Sequence, residues 1–128
     1  MIYVVETHIL VWFLDSNRRL SLKYKKILLN KRNTFIFSAI VLAEIKYLIA
    51  AKRINIDFKS VLEYLSQCDN CIICPVDEVV IDYMPKGLDI HDALIVATGL
   101  VYKESLKEDI FVLTEDNLII NSGILPVA

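Results

Sequence analysis

The chain is poor in the residues that punctuate loops: its 128 residues include three glycines and three prolines. That scarcity argues against a loop-rich all-β sandwich, whose tight turns draw on both types, and places most of the chain in regular elements. Cysteine is equally sparse. Three is an odd number and too few for a disulfide framework. A reduced, cytoplasmic setting is therefore the expectation, with Cys68, Cys71 and Cys74 as buried or incidental thiols. No apolar run approaches the roughly 18–20 residues that span a bilayer, so no membrane is expected among the partners. The N-terminus lacks the charged start of a secretion signal, and Glu6 interrupts its apolar stretch. An excess of positive charge is missing too. The formal net charge is −2, which excludes a wholly basic nucleic-acid binder.

What is present is enough material for a core. Apolar residues make up 55% and charged residues 23%, which rules out whole-chain disorder. The length suits one domain over residues 1–128. The charge is unevenly spread. Seven of the 14 lysines and arginines fall between Arg18 and Arg32, a stretch without any acid. It reads either as a solvated helix face or as a local basic surface for phosphates, with Arg18, Arg19, Lys23 and Lys26 as the candidates.

Hydrophobic periodicity orders the elements. Ile2 to Val5 is a β-branched and aromatic run that reads as a buried strand, followed by a short helix from His8 to Leu14. Ser21 can cap a helix from Leu22 to about Lys31. Thr34 to Phe37 is a second strand, and Ser38 caps a helix from Ala39 to about Lys52, with Leu42, Ile45, Leu48 and Ile49 in one stripe. Asp57 caps the next helix, Cys71 to Val76 is a third strand, and Asp77 opens a short helix. Asp89 caps a long helix to about Lys103. Ile110 to Leu113 is a fourth strand, Thr114 to Ser122 a turn and short helix, and Ile124 to Val127 a fifth strand. Strands alternating with helices specify an α/β fold: a three-layer α/β/α sandwich around a mainly parallel sheet of four to five strands. Such sheets bind ligands beyond the carboxyl ends of their strands, where the strand order reverses.

Acids cluster at those positions. Glu6 lies past the first strand, Glu115 and Asp116 past the fourth, Glu44 in the helix after the second, and Asp92 in the first turn of the long helix. Neighbouring first and fourth strands would bring them to one rim. Glu44 and Asp92 sit among apolar residues, where an unpaired carboxylate is costly. A hard divalent cation such as Mg²⁺ or Mn²⁺ is the economical partner. Each acid also has a plainer reading: Asp89 and Asp116 as helix caps, Asp92 as a complement to its helix dipole, Glu44 as a satisfied helix-face acid, Glu115 as a solvated turn residue. Glu6 is the hardest to explain in this way.

Four segments taken in order resemble a known family. Tyr3-Val4-Val5-Glu6-Thr7-His8, Ser38-Ala39-Ile40-Val41-Leu42-Ala43-Glu44, Asp89-Ile90-His91-Asp92-Ala93-Leu94-Ile95 and Leu113-Thr114-Glu115-Asp116 resemble the motifs of PIN domains, specifically of VapC-type toxins, over essentially the whole chain. The resemblance implies a metal-dependent endoribonuclease, the toxin of a type II toxin–antitoxin pair, held in check by a cognate antitoxin and often a homodimer. It assigns Glu6, Glu44, Asp92 and Asp116 as catalytic acids holding Mg²⁺ or Mn²⁺, with Thr7, Ser38 and Thr114 in support. The cation would acidify a water and neutralise charge on the phosphodiester undergoing hydrolysis. His8 and His91 would hydrogen-bond to the acids rather than react. Trp12 would serve the core or a dimer interface.

One residue departs from the family pattern: the first acid is usually Asp and here is Glu6. The extra methylene shifts the carboxylate by about one bond length, and sites are sensitive to such shifts. A degenerate PIN domain acting as a non-catalytic RNA- or protein-binding module is thus the alternative. A phosphatase of the aspartyl-phosphate class is disfavoured, because it needs an Asp nucleophile where Glu6 stands. The Cys68-x-x-Cys71-x-x-Cys74 run opens no helix after a strand, as a thioredoxin-like pair would.

Overall fold

The computed structural model describes residues 1–128. Four parallel strands form one sheet: β1 (Ile2–Val5), β2 (Thr34–Ser38), β3 (Cys71–Cys74) and β4 (Ile110–Leu113), in the order β3-β2-β1-β4. The chain steps outward from β1 to β3, then returns to place β4 on the other side of β1. The strand order therefore reverses between β1 and β4. Between the strands run α1 (Thr7–Leu14), α2 (Leu22–Leu29), α3 (Ala39–Ala50), α4 (Phe58–Gln67), α5 (Glu78–Asp82) and α6 (Ile90–Leu106), with α7 (Asn117–Ser122) after β4. No helix is long and apolar enough to cross a membrane.

The sheet buries both faces, as a parallel sheet must. On one face Tyr3 stacks on Phe35 with ring centroids 5.9 Å apart and meets Phe111 at 6.1 Å. Leu10, Tyr24, Leu28 and Leu65, from α1, α2 and α4, are buried in the same cluster. On the other face, Ile36 and Cys74 pack with Val80, Leu94 and Ala97 of α5 and α6. The middle of α6 is buried on all sides from Asp92 to Gly99, which accounts for its run of apolar residues. Gly99 lets α6 approach the sheet closely: a Cβ there would lie 2.6 Å from Leu125 Cδ1 and 3.2 Å from Val4 Cγ1. Leu125 is itself buried and has little room to yield. Gly99→Val is expected to lower unfolding free energy by about 1–3 kcal/mol through overpacking, measured by urea titration.

The expected fifth strand is not formed. Only one bridge, between Val112 and Val127, joins the tail to β4, through Val112 N–H to Pro126 O at 2.9 Å and Ala128 N–H to Val112 O at 3.2 Å. Continuing the parallel ladder toward Ile110 would require an N–H from Pro126, which has none. Pro75 likewise follows directly on the end of β3, which stops at Cys74 instead of reaching Val76. The long helix extends to Leu106, beyond the expected Lys103, and is closed by Lys107 in the left-handed conformation at φ 55°. The cysteines also depart from the expectation of thiols. Cys68 and Cys71 are joined as a disulfide between the end of α4 and the start of β3, and neither is fully buried. Only Cys74 is a free, buried thiol. A three-residue separation sufficed because Cys68 leaves the helix in an extended conformation, which turns it toward Cys71.

Candidate active site

The reversal between β1 and β4 brings the first and last acids together. Glu6 follows Val5, and its backbone N–H donates to Leu113 O of β4 at 3.1 Å. Its carboxylate curls back over the start of α1: Oε2 accepts from His8 N–H at 3.1 Å, and Oε1 lies 3.1 Å from His8 Nδ1. Asp116 caps α7, with Oδ1 accepting from Leu118 N–H at 2.8 Å and Ile119 N–H at 3.4 Å. Thr114 fixes this turn. Its Oγ1 accepts from Asp116 N–H at 2.9 Å, and its carbonyl accepts from the Tyr24 hydroxyl at 3.1 Å.

Helices α3 and α6 supply the remaining acids. Ser38, the buried last residue of β2, caps α3 by accepting from Ile40 N–H at 3.2 Å. Glu44, on the second turn of α3, receives Thr7 Oγ1–H at 2.8 Å on Oε1, and His91 Nδ1 lies 3.5 Å from its Oε2. Asp89 caps α6 as expected, accepting from Asp92 N–H at 2.9 Å. Asp92 is 8% exposed. Its carboxylate, unlike the other three, is engaged by no donor of the chain.

Electrostatics expresses the convergence. Burial pushes the Asp92 carboxyl up to about 7, and the negative charges of Asp116, Asp89, Glu6 and Glu44 push the same way. His8 is raised above its usual value, chiefly by its hydrogen bond to Glu6; desolvation opposes the rise, and the charges of Glu6, Glu44 and Asp116 add to it. Four carboxylates thus share one rim with too little positive charge among them. They do not form a ready-made cage: no three of the side chains close on a common point, because Glu6, Glu44 and Asp116 are each turned to partners of their own. The donor set still fits a hard divalent cation. It is all oxygen, it is negative, and Asp92 within it lacks a counter-charge.

Thr7 has no exposed surface, and its bond to Glu44 ties α1 to α3. Thr7→Val keeps the volume and removes the donor. It is expected to destabilise the protein by about 1–3 kcal/mol in urea unfolding, the range for a lost bond to a charged acceptor.

Lys23 and Lys26 lie on the exposed side of α2, and Arg18 and Arg19 lie in the loop before it. A furrow between α1 and α3 adjoins the rim. It consists of two hollows, of about 430 and 360 Å³, that share His8, Leu48 and Arg53. Glu44 and His91 line the first; Arg19 and Trp12 line the second. Of the four basic candidates, Arg19 alone reaches the furrow. Arg53 was missed, since it stands past the end of α3, nine residues beyond Glu44 and outside the motif that holds it. A larger hollow of about 570 Å³ lies at the opposite end of the sheet, near Cys68 and Asn70, and contains none of the acids.

The fold is that of a PIN domain. The PIN domain family model matches residues 3–120, and the chain belongs to that family. Among solved structures it is similar to VapBC2 from Rickettsia felis bound to a DNA fragment from their promoter, with a TM-score of 0.67 and 19% identity over 100% of this chain and 98% of that one. It is also similar to FitAB bound to the IR36 DNA fragment, with a TM-score of 0.59 and 20% identity over 100% of this chain and 94% of that one. At such identities the likeness establishes the fold. Among curated protein sequences, none matches this chain significantly.

Proposed function

We propose that this chain is a metal-dependent endoribonuclease, the toxin of a type II toxin–antitoxin pair, which hydrolyses RNA phosphodiester bonds at the rim formed by Glu6, Glu44, Asp92 and Asp116. The observation that carries the reading is Asp92: a largely buried residue whose carboxylate meets no donor of the chain and reaches solvent at the rim, set among like charges at the switch point of a PIN fold. The four acids would hold Mg²⁺ or Mn²⁺, which when bound supplies positive charge against the phosphodiester and makes water a stronger acid. The chain's own residues do the positioning. Thr7 and His91 orient Glu44, Thr114 sets the turn that presents Asp116, and Ser38 fixes the first turn of α3.

A cognate antitoxin and a second copy of the chain are the protein partners that this reading includes, in the cytoplasm. Likeness to VapBC2 and FitAB supports the first of these. The test is incubation of purified, antitoxin-free protein with total cellular RNA, in Mg²⁺, in Mn²⁺ and in EDTA. Discrete cuts that need metal are the expected result; RNA left intact with both metals overturns the reading.

One observation favours a second reading, a PIN domain that binds without cutting. The extra methylene of Glu6 lets its carboxylate fold onto His8, which engages both of its oxygens. Metal-independent RNA binding without cleavage is its expected signature.

A further inference from the structure

We propose that the furrow between α1 and α3 is a track for single-stranded RNA, in which Arg53 and Arg19 each hold a backbone phosphate and Trp12 offers a ring for a base to stack on. This inference rests on the ribonuclease reading and adds to it the side chains that grip the strand. The acidic rim repels a polyanion, so a strand delivered to it needs positive charge alongside. The lysines of α2 line neither hollow, whereas Arg53 lines both and Arg19 lines the second.

Both arginines are exposed, and neither guanidinium forms an ion pair within the chain, although Glu44 shares one hollow with Arg53 and Asp15 shares the other with both. A planar fork of five donors left free beside an acidic site is suited to phosphate. Their backbones are held in place. Arg53 N–H donates to Leu48 O at 2.9 Å, after Lys52 turns through the left-handed region, and Arg19 N–H donates to Asn17 Oδ1 at 2.9 Å. Trp12 is half-buried and packs against His8 with ring centroids 5.9 Å apart. Guanidinium groups interleaved with an aromatic ring make the kind of surface that binds single strands without reading their sequence. Hollows of about 430 and 360 Å³ are the size of small-ligand sites, with room for unpaired nucleotides.

The test is fluorescence anisotropy of a short labelled single-stranded RNA with the full chain in EDTA, across a salt series. Arg53→Ala and Arg19→Ala are each expected to weaken binding about tenfold and to reduce the slope of log K against log salt by about 0.7, one phosphate contact on a single strand. Arg53→Lys should keep that slope. Trp12→Leu should weaken binding with the slope unchanged, because stacking releases no counterions. Lys103→Ala, at the far end of α6, should change neither.

Arg53→Ala that is folded by circular dichroism yet binds with wild-type affinity and slope overturns the proposal and leaves the furrow to a protein partner. Failure of the wild type to bind also overturns it. Wild-type protein that binds in this way but cuts no RNA with either metal supports the track while overturning the ribonuclease reading. Wild-type protein that cuts, beside an Arg53→Ala variant that binds and cuts equally well, overturns the track alone.

Discussion

Asp92→Asn is expected to cost on the order of a hundredfold or more in metal-dependent RNA cleavage while making the metal-free protein more stable. Both effects come from the same burial. The residue is 8% exposed, and its carboxyl lacks a donor and faces four other acids. Its ordinary value of 3.8 rises to about 7 in the folded chain, so between those values the native state holds a proton that the unfolded state releases. The stabilising contribution of the protonated carboxyl is complete below pH 4 and is lost as pH rises through 7. Asparagine is neutral throughout. In EDTA the variant should therefore melt above the wild type at pH 8, by about 5 °C or more, and close to it at pH 4. Added Mn²⁺ at pH 8 should raise the wild-type melting temperature and leave that of the variant unmoved. An equal difference at both pH values would show that Asp92 carries no buried charge, and undiminished cleavage would remove it from the site.

Glu6→Asp is expected to speed cleavage by about tenfold, a size typical of small misplacements in a catalytic site. The reason is geometric. With one methylene more than Asp, Glu6 reaches back to both the backbone N–H and the Nδ1 of His8. Aspartate can still cap α1 but is too short to keep both partners, so its carboxylate stays nearer the end of β1. A second readout is independent of turnover. The His8 value, now raised mainly by that hydrogen bond, should fall toward 6.5 in an NMR titration. A slower Asp variant would make Glu6 the better-fitted acid as it stands. RNA left intact by both proteins would favour the non-cutting reading.

The fold was legible because local rules and global topology agree in this chain. Ser21, Ser38, Asp57, Asp77 and Asp89 open the helices they were expected to open, and Asp116 caps α7, the plainer of its two readings. The alternation of strands and helices specified a parallel sheet, and the four acids fell at the reversal of strand order. The misses have physical causes. Pairing of the tail depended on one missing N–H, at Pro126. The Cys68–Cys71 bond depended on how the chain leaves α4, and an extended helix exit leaves no periodic signal. Which way each carboxylate turns, and that Arg53 reaches back beside Glu44, are matters of rotamer and packing. Residue spacing locates a backbone on the rim without aiming its side chain.

The central place of β1 has a consequence for how the molecule comes into being. Its first strand is flanked by β2 on one side and by β4, near the other end, on the other, and Tyr24 bonds to Thr114 across 90 residues. Glu6 therefore meets Asp116 only after nearly the whole chain has been made. Long-range pairing of this kind forms late and slowly. A growing chain on the ribosome would carry three of the four acids with no fourth to complete them. If the rim cuts RNA as proposed, that chemistry is postponed until synthesis is almost finished, a delay written into the strand order itself.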